Sequence, residues 1–269
     1  MIIGGLQKFS LLDYSGHISS IVFIKSCNFR CQFCYNPMLV WPVEGAGKLE
    51  NIKPRSTQLR RLDDISKMRG KSKKEKDYSL SRKLGEQIKE SDLFRFLKKR
   101  RGKLEAVVIT GGEPTIHKDL PSFIRKIKKL GYLVKLDTNG SNPKMLKELI
   151  DRKLIDHLAM DVKASQEKYS KITGVKINFD NIKKSVKIII DSKLPHEFRT
   201  TLAPGLLTKD DINKIGKIIK GAQIWYLQKF KKDTELINDK IKKNKNFNEK
   251  EIEEMAEIGK KYAKKCEIR

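Results

Sequence analysis

"SIVFIKSCNFRCQFCYNP", residues 20–37, decides how the rest of this chain is read. Its opening, "SIVFIK" (20–25), is a short apolar, β-branched run of the kind buried on both faces of a parallel sheet. The chain passes directly from it into a loop that holds Cys27, Cys31 and Cys34, three of the four cysteines in the sequence. In a barrel of alternating strands and helices, reactive side chains collect at the C-terminal ends of the strands. A strand that runs straight into three thiols is the first sign of that arrangement.

Five more runs repeat the pattern: "LEAVVIT" (104–110), "YLVKLDT" (132–138), "HLAMDVK" (157–163), "EFRTTLA" (197–203) and "AQIWYLQKF" (222–230). Helical spacing lies between them. "LPSFIRKIKKLG" (120–131) repeats its apolar residues at one helix face, with Gly131 placed to end it. "NPKMLKELIDRKL" (142–154) starts on a capping Asn142 with Pro143 in the first helical position. "TKDDINKIGKIIKG" (208–221) begins with Thr208 as cap and two aspartates in its first turn. "NEKEIEEMAEIGKKYAKK" (248–265) reads as a terminal amphipathic helix, acidic early and basic late. Cys266 then falls in that helix as an incidental thiol. The expected fold is α/β, a partial (β/α)6 TIM-like barrel of parallel strands in a single domain spanning 1–269. A doubly wound open sheet is the alternative, because periodicity does not decide closure.

One segment interrupts the rhythm. Residues 44–85 lack apolar runs, contain no cysteine and include the basic stretch "KMRGKSKKEKDYSLSRK" (67–83). They read as a flexible insertion, either a surface loop without a role or a basic arm for a partner or RNA, before the helix "EQIKESDLFRFLKKRRG" (86–102) resumes the pattern. Across the chain, 59 Lys and Arg face 33 Asp and Glu, a net charge of +26. That excess fits attraction to nucleic acid, an acidic protein or an anionic surface, and equally a lysine-rich proteome whose solvated helix faces carry Lys. Three crowded cysteines and one distant one do not make a disulfide framework. The first residues lack the pattern of a signal peptide, and no apolar run is long enough to span a bilayer. A cytoplasmic, membrane-free protein is expected.

The unusual residues fall where a barrel would gather them. The cysteines follow the first strand, "GGEP" (111–114) the second, and Asp137, Thr138, Asn139 and Gly140 close the third. Asp161 and Lys163 close the fourth, and Arg199 lies in the fifth. Three thiolates at C-x3-C-x2-C can hold a metal centre. A Cys3His zinc site needs a histidine nearby, and His17, His117, His157 and His196 are not at zinc-module spacing. An iron–sulfur cluster with one iron free of protein ligand fits better. Gly111 and Gly112 allow close backbone approach, and Glu113 can accept from an ammonium group, although Gly-Gly is also a common turn.

The cysteine spacing, Phe33 before the last cysteine, and Gly111-Gly112-Glu113-Pro114 together resemble the radical S-adenosylmethionine superfamily. "GGLQKFSLLDYSG", "CNFRCQFCYNP", "VVITGGEPT", "KLDTNGSNP", "AMDVKA", "YSKITG", "EFRTTLAPG" and "WYLQKF" are similar, in order, to activating proteins of anaerobic ribonucleoside-triphosphate reductase. They are related more distantly to pyruvate formate-lyase activating enzymes. The resemblance runs over residues 4–43 and 86–263. It implies a [4Fe–4S] cluster on Cys27, Cys31 and Cys34, with S-adenosylmethionine on the fourth iron. It further implies Phe33 near the adenine and Gly111, Gly112, Glu113 and Pro114 about the methionine ammonium. Asp137, Asn139, Lys163 and Arg199 would contact the cofactor, with Lys163 also counted as catalytic, and a monovalent cation would sit at Asp137, Thr138 and Asp161. Reductive cleavage would give a 5′-deoxyadenosyl radical that takes hydrogen from a glycine of a partner, the anaerobic reductase. A flavodoxin- or ferredoxin-type donor would supply the electron. A radical enzyme acting on RNA, such as tRNA, or on a small metabolite is the alternative raised by the charge. A non-catalytic zinc module that binds nucleic acid is the third reading.

Overall fold

The computed structural model describes residues 1–41 and 87–269. The basic insertion expected at 44–85 lies outside the described residues. One sheet of eight strands organises the rest, in the spatial order of the sequence. The strands are β1 (Ile3–Ser10), β2 (Ser19–Ile24), β3 (Ala106–Gly111), β4 (Leu133–Thr138), β5 (His157–Asp161), β6 (His196–Leu202), β7 (Ala222–Lys229) and β8 (Ala263–Ile268). Strands β2 to β8 pair in parallel, and β1 pairs antiparallel with β2. β1 and β8 do not pair with each other, so the curved sheet is a barrel left open along one side.

The six strands expected from apolar runs are β2 to β7, and the fold is the partial barrel that their alternation with helices implies. The sheet carries two flanking strands beyond those six. β1, "IGGLQKFS", holds two glycines and has little strand character of its own; it forms because the free edge of β2 needs backbone partners. At the other edge, helix α8 (Glu249–Lys260) stops five residues before its expected end and the chain returns as β8. Cys266 is therefore a buried strand residue, not a helical one; its thiol packs where Gly259 and Trp225 meet. Pairing the open edge of β7 outweighs continuing the helix.

Helices α2 (Glu90–Lys99), α3 (Leu120–Lys128), α4 (Pro143–Asp151), α5 (Gln166–Thr173), α6 (Phe179–Asp191) and α7 (Lys209–Ile218) connect successive strands, and α1 (Pro37–Val40) is a single turn after the cysteines. Their starts follow local chemistry. The Asn142 side chain accepts from the Met145 N–H at α4, and Thr208 with Asp211 forms a capping box at α7. The outer faces of the strands and the inner faces of the helices make one continuous core, with Val134, Leu136, Leu158, Met160, Phe198 and Trp225 from the sheet. Trp225 is wholly buried, and its Nε1–H donates to Thr200 Oγ1 at 3.0 Å. The opposite strand face is divided. Ile21, Ala106 and Val108 form a small apolar cluster with Tyr14, whereas β4, β5 and β6 place charged residues there. Among the described residues, no helix is long and apolar enough to cross a membrane.

Candidate active site at the barrel mouth

Directly after β2 the chain enters the cysteine loop, which is closed at its neck: Ser26 N–H donates to Leu39 O at 2.7 Å and Cys27 N–H to Val40 O at 3.0 Å. Its crest is fastened to the end of α5, with Arg30 N–H on Thr173 O at 2.7 Å and Gln32 N–H on Ile172 O at 3.0 Å. Gly174 ends α5 at φ 67° and lies so close to the loop that a Cβ there would stand 2.6 Å from Arg30 O. The "YSKITG" stretch thus serves as the seat of the cysteine loop.

The Gly-Gly pair has the same purpose. Gly111 sits at φ 118° beside Ile24, and a Cβ on Gly112 would stand 2.1 Å from Ser26 O. Gly112 N–H donates to Ile24 O at 2.7 Å and Glu113 N–H to Ser26 O at 2.8 Å. The close backbone approach expected at these glycines is made to the root of the cysteine loop. Glu113 is buried and held by both carboxylate oxygens. Oε1 accepts from Thr115 N–H at 3.0 Å, from the Thr115 hydroxyl, and from Thr138 Oγ1 at 2.7 Å; Oε2 accepts from Asn139 N–H at 2.6 Å. Burial raises its pKa, against the opposing pull of these donors. Glu113 therefore ties the end of β3 to the loop after β4.

Asn139 completes that tie. Its Nδ2 donates to Asn28 Oδ1 at 2.9 Å and faces Cys27 Sγ at 3.9 Å, and its Oδ1 accepts from Ser141 N–H at 2.9 Å. Asn28 and Gln32 carry structural duties that the sequence does not announce. Both lie inside the cysteine spacing, and that position was their only signal.

Across the mouth, Arg199 bridges two strands: Nε donates to Asp161 Oδ1 at 2.8 Å and Nη1 to Asp137 Oδ2 at 3.1 Å. Lys163 Nζ reaches the other oxygen of Asp161 at 3.1 Å and lies 6.0 Å from the centre of the Phe33 ring. Burial opposes ionisation of Asp161, but Arg199 and then Lys163 outweigh it and hold the carboxyl at about 2. Burial likewise opposes charge on Lys163, yet Asp161 and Cys31 hold its pKa above the ordinary lysine value. The carboxylates considered for a monovalent cation are thus already joined by a guanidinium, and the Thr138 hydroxyl donates to Glu113. Asp137 Oδ1 is buried without a hydrogen-bond partner. It is a buried acceptor without a donor.

The donor set can be tested against a metal group directly. Cys27, Cys31 and Cys34 are free thiols. Burial pushes Cys27 up to about 12, with Glu113 adding to it, and Cys31 up to about 11; Cys34 is raised for the same reason. Such thiols ionise on binding metal, not before. A single zinc ion would need its sulfurs about 3.8 Å apart, the edge of a tetrahedron with 2.3 Å bonds. Among the described residues, no three His, Cys, Asp or Glu side chains close on one ion. His117 Nε2 is engaged with Lys25 O at 2.9 Å, His196 bonds Leu194 O and Gln223 N–H through its two ring nitrogens, and His17 meets the Tyr14 ring edge to face. Three thiols on one loop, with no fourth protein ligand grouped with them among the described residues, fit a cluster whose thiolates bind separate irons.

Residues 21–219 match the radical SAM superfamily. The chain is 29% identical over 273 residues to a Methanocaldococcus jannaschii protein provisionally named a glycyl-radical enzyme activating enzyme, spanning 100% of this chain and 95% of that one. Among solved structures, Streptococcus suis SuiB bound to precursor peptide SuiA superposes with a TM-score of 0.59 at 14% identity, over 93% of this chain and 48% of that one. A domain of pyruvate-formate lyase-activating enzyme from Bacteroides vulgatus gives a TM-score of 0.50 at 18% identity, over 61% and 99%. At those identities the structural likeness is one of fold.

Proposed function

The chain belongs to the radical SAM superfamily, whose members work with a [4Fe–4S] cluster and S-adenosylmethionine, and from that premise we propose that it activates a glycyl radical enzyme, anaerobic ribonucleoside-triphosphate reductase. The observation that carries the activating role is the M. jannaschii relative, aligned over nearly its whole length; the choice of reductase rests on the resemblance of the sequence motifs. When bound, the cluster and S-adenosylmethionine supply one-electron cleavage of a sulfonium bond.

This chain's residues supply position and charge. In this reading Cys27, Cys31 and Cys34 would hold the cluster through their thiolates. Lys163 and Arg199 are cations fixed by Asp161 and Asp137, and they orient the carboxylate and ribose of the cofactor. Phe33 packs the adenine, and Asp137 Oδ1 offers its open acceptor. Gly111, Gly112 and Pro114 bring backbone to the methionine end, while Glu113 and Asn139 hold that backbone still. The gap between β1 and β8 is the side by which a partner's glycine-bearing loop reaches the mouth. A cytoplasmic setting and an acidic electron-carrier protein belong to the same reading.

The test mixes anaerobically reconstituted protein with reductant, S-adenosylmethionine and the anaerobic reductase. A glycyl radical doublet in electron paramagnetic resonance is expected. Formation of 5′-deoxyadenosine only when tRNA is added would replace this reading with RNA modification.

A further inference from the structure

Several lysines on the outer helices face an acid: Lys147 pairs with Asp151 at 2.8 Å, Lys187 with Asp191 at 2.8 Å, Lys126 with Glu90 at 2.6 Å and Lys214 with Asp210 at 3.1 Å. Others, such as Lys98, Lys144, Lys184 and Lys217, have no acid partner among the described residues. The cysteine loop is bordered by lysines of the second kind. Lys171, Lys176, Lys240 and Lys243 are exposed there, and none has an acid partner among the described residues. Of the acids nearby, Asp239 is held by Lys242 at 2.5 Å and Asp180 by Lys183 at 3.8 Å, and Asp233 and Glu235 form no ion pair with these lysines among the described residues.

Gln32, between Cys31 and Phe33, brings these lysines together. Its Nε2 donates to Lys171 O at 2.9 Å, its carbonyl accepts from Asn238 N–H at 2.9 Å, and its Oε1 accepts from Asn238 Nδ2 at 2.8 Å. Asn238 caps the 3-10 turn Asp239–Lys243. Unpaired lysines from two elements therefore flank the outer side of the loop, a few bonds from its cysteines. Arg30 extends the basic skin: its Nη1 donates to Cys27 O at 2.5 Å and Phe29 O at 2.7 Å, and its guanidinium lies 4.1 Å from the centre of the Trp41 ring.

An electron must reach a group held by these cysteines from outside the barrel, since the mouth is taken up by cofactor and the radical-accepting chain. We propose that the collar of Lys171, Lys176, Lys240 and Lys243 docks an acidic, low-potential protein that carries one electron at a time. The step balances as a transfer of one electron from carrier to cluster, with no proton moved and no bond made. The proposal rests on the radical SAM reading of the cysteine loop and names the partner that the loop's outer side fits. Opposite charge across such a surface chiefly raises the association rate, by roughly 10-fold to 1,000-fold, and salt screens it.

The test reverses all four charges, Lys171→Glu, Lys176→Glu, Lys240→Glu and Lys243→Glu. A control makes the same change at the opposite end of the barrel, where the helices lead back into the strands, with Lys129→Glu, Lys153→Glu, Lys193→Glu and Lys220→Glu, all exposed. Affinity for oxidised flavodoxin is measured by calorimetry without turnover, and unfolding curves confirm that both proteins fold. The collar variant is expected to bind roughly 10-fold or more weakly and the control to stay within about 3-fold, with the difference fading at high salt. Flavodoxin-driven cleavage of S-adenosylmethionine should fall with the affinity, while dithionite-driven cleavage stays at the parent rate. Equal weakening in both variants would overturn the proposal, as would flavodoxin binding that survives while binding of tRNA or the reductase is lost. Absence of dithionite-driven cleavage in the parent protein would count against the radical chemistry, and the calorimetric comparison would still decide the docking surface.

Discussion

Strands β4, β5 and β6 present two faces built from alternate residues, and the faces follow opposite rules. Toward the helices stand Val134, Leu136, Leu158, Met160 and Phe198, all buried in the main core. Toward the barrel axis stand Lys135, Asp137, Asp161, Glu197 and Arg199, charges that alternate in sign from base to mouth. Lys135 meets Glu197 at 3.0 Å, Glu197 lies 3.8 Å from Arg199, and Arg199 joins both aspartates. Charges taken out of water gain little net stability even when paired, whereas apolar packing gains a great deal. The outer face therefore holds the fold, and the inner face holds a field aimed at the mouth.

The largest effect expected is at the mouth itself. Cys31→Ala should remove both the cluster's visible absorption after reconstitution and all cleavage of S-adenosylmethionine, with an unfolding midpoint close to that of the parent apoprotein. Retained cleavage would refute the cluster assignment, and a lost fold would mean that the loop belongs with the structural face. One layer down, Arg199→Gln leaves Asp137 and Asp161 without their shared partner. Cleavage should fall on the order of 100-fold, the scale of losing one preorganised charge, and more than any change in folded fraction explains. Kinetics and denaturant unfolding on the same samples separate the two.

Phe198→Ala, on the neighbouring position of the same strand, should do the reverse. Phe198 is wholly buried, and truncating such a side chain costs about 3–5 kcal/mol. Cleavage per folded molecule should stay within about 2-fold, because a relaxed outer wall changes populations rather than charges. If Phe198→Ala and Arg199→Gln lower stability and cleavage in the same proportion, the division between the faces is wrong.

How much of this was legible beforehand follows from the range of the forces. Short apolar runs announce β2 to β7 because burial of both faces is a local property of composition. The thiols were legible because their ligand spacing lies within one loop. The helix α6, "FDNIKKSVKIIID", likewise shows its apolar residues at helical spacing. β1 and β8 were hidden because their strand state comes from an unpaired edge elsewhere in the chain. Long-range pairing also adds partners at the site that the sequence does not announce. Thr138, 25 residues from Glu113, donates to its carboxylate, and Asn28, 111 residues from Asn139, accepts from its amide. Arg199 could be placed in a strand by pattern, whereas its bridge between Asp137 and Asp161 depends on the register of three strands.

The smallest effect expected sits at the base of the charged face. The His157 ring lies 5.3 Å from Tyr14, and its Nδ1 is buried without a hydrogen-bond partner. Burial, and next the Lys135 ammonium, depress its pKa to about 4, with Arg199 and His196 adding to the effect and Asp137 opposing it. An unfolded chain holds the same ring near 6.5. Between those values the unfolded state takes up a proton that the folded state refuses. The stability gained from a neutral ring is complete above about pH 6.5 and is lost as pH falls toward 4, amounting to about 1–2 kcal/mol for a ring partly open to solvent. His157→Gln removes the titrating group and leaves the neighbouring charges in place. Urea unfolding at pH 7.5 and pH 5 should therefore show a smaller loss of stability in the variant than in the parent, with the two converging at the acid end. Parallel losses would place His157 outside the charged face and leave the Lys135–Glu197 pair as its base.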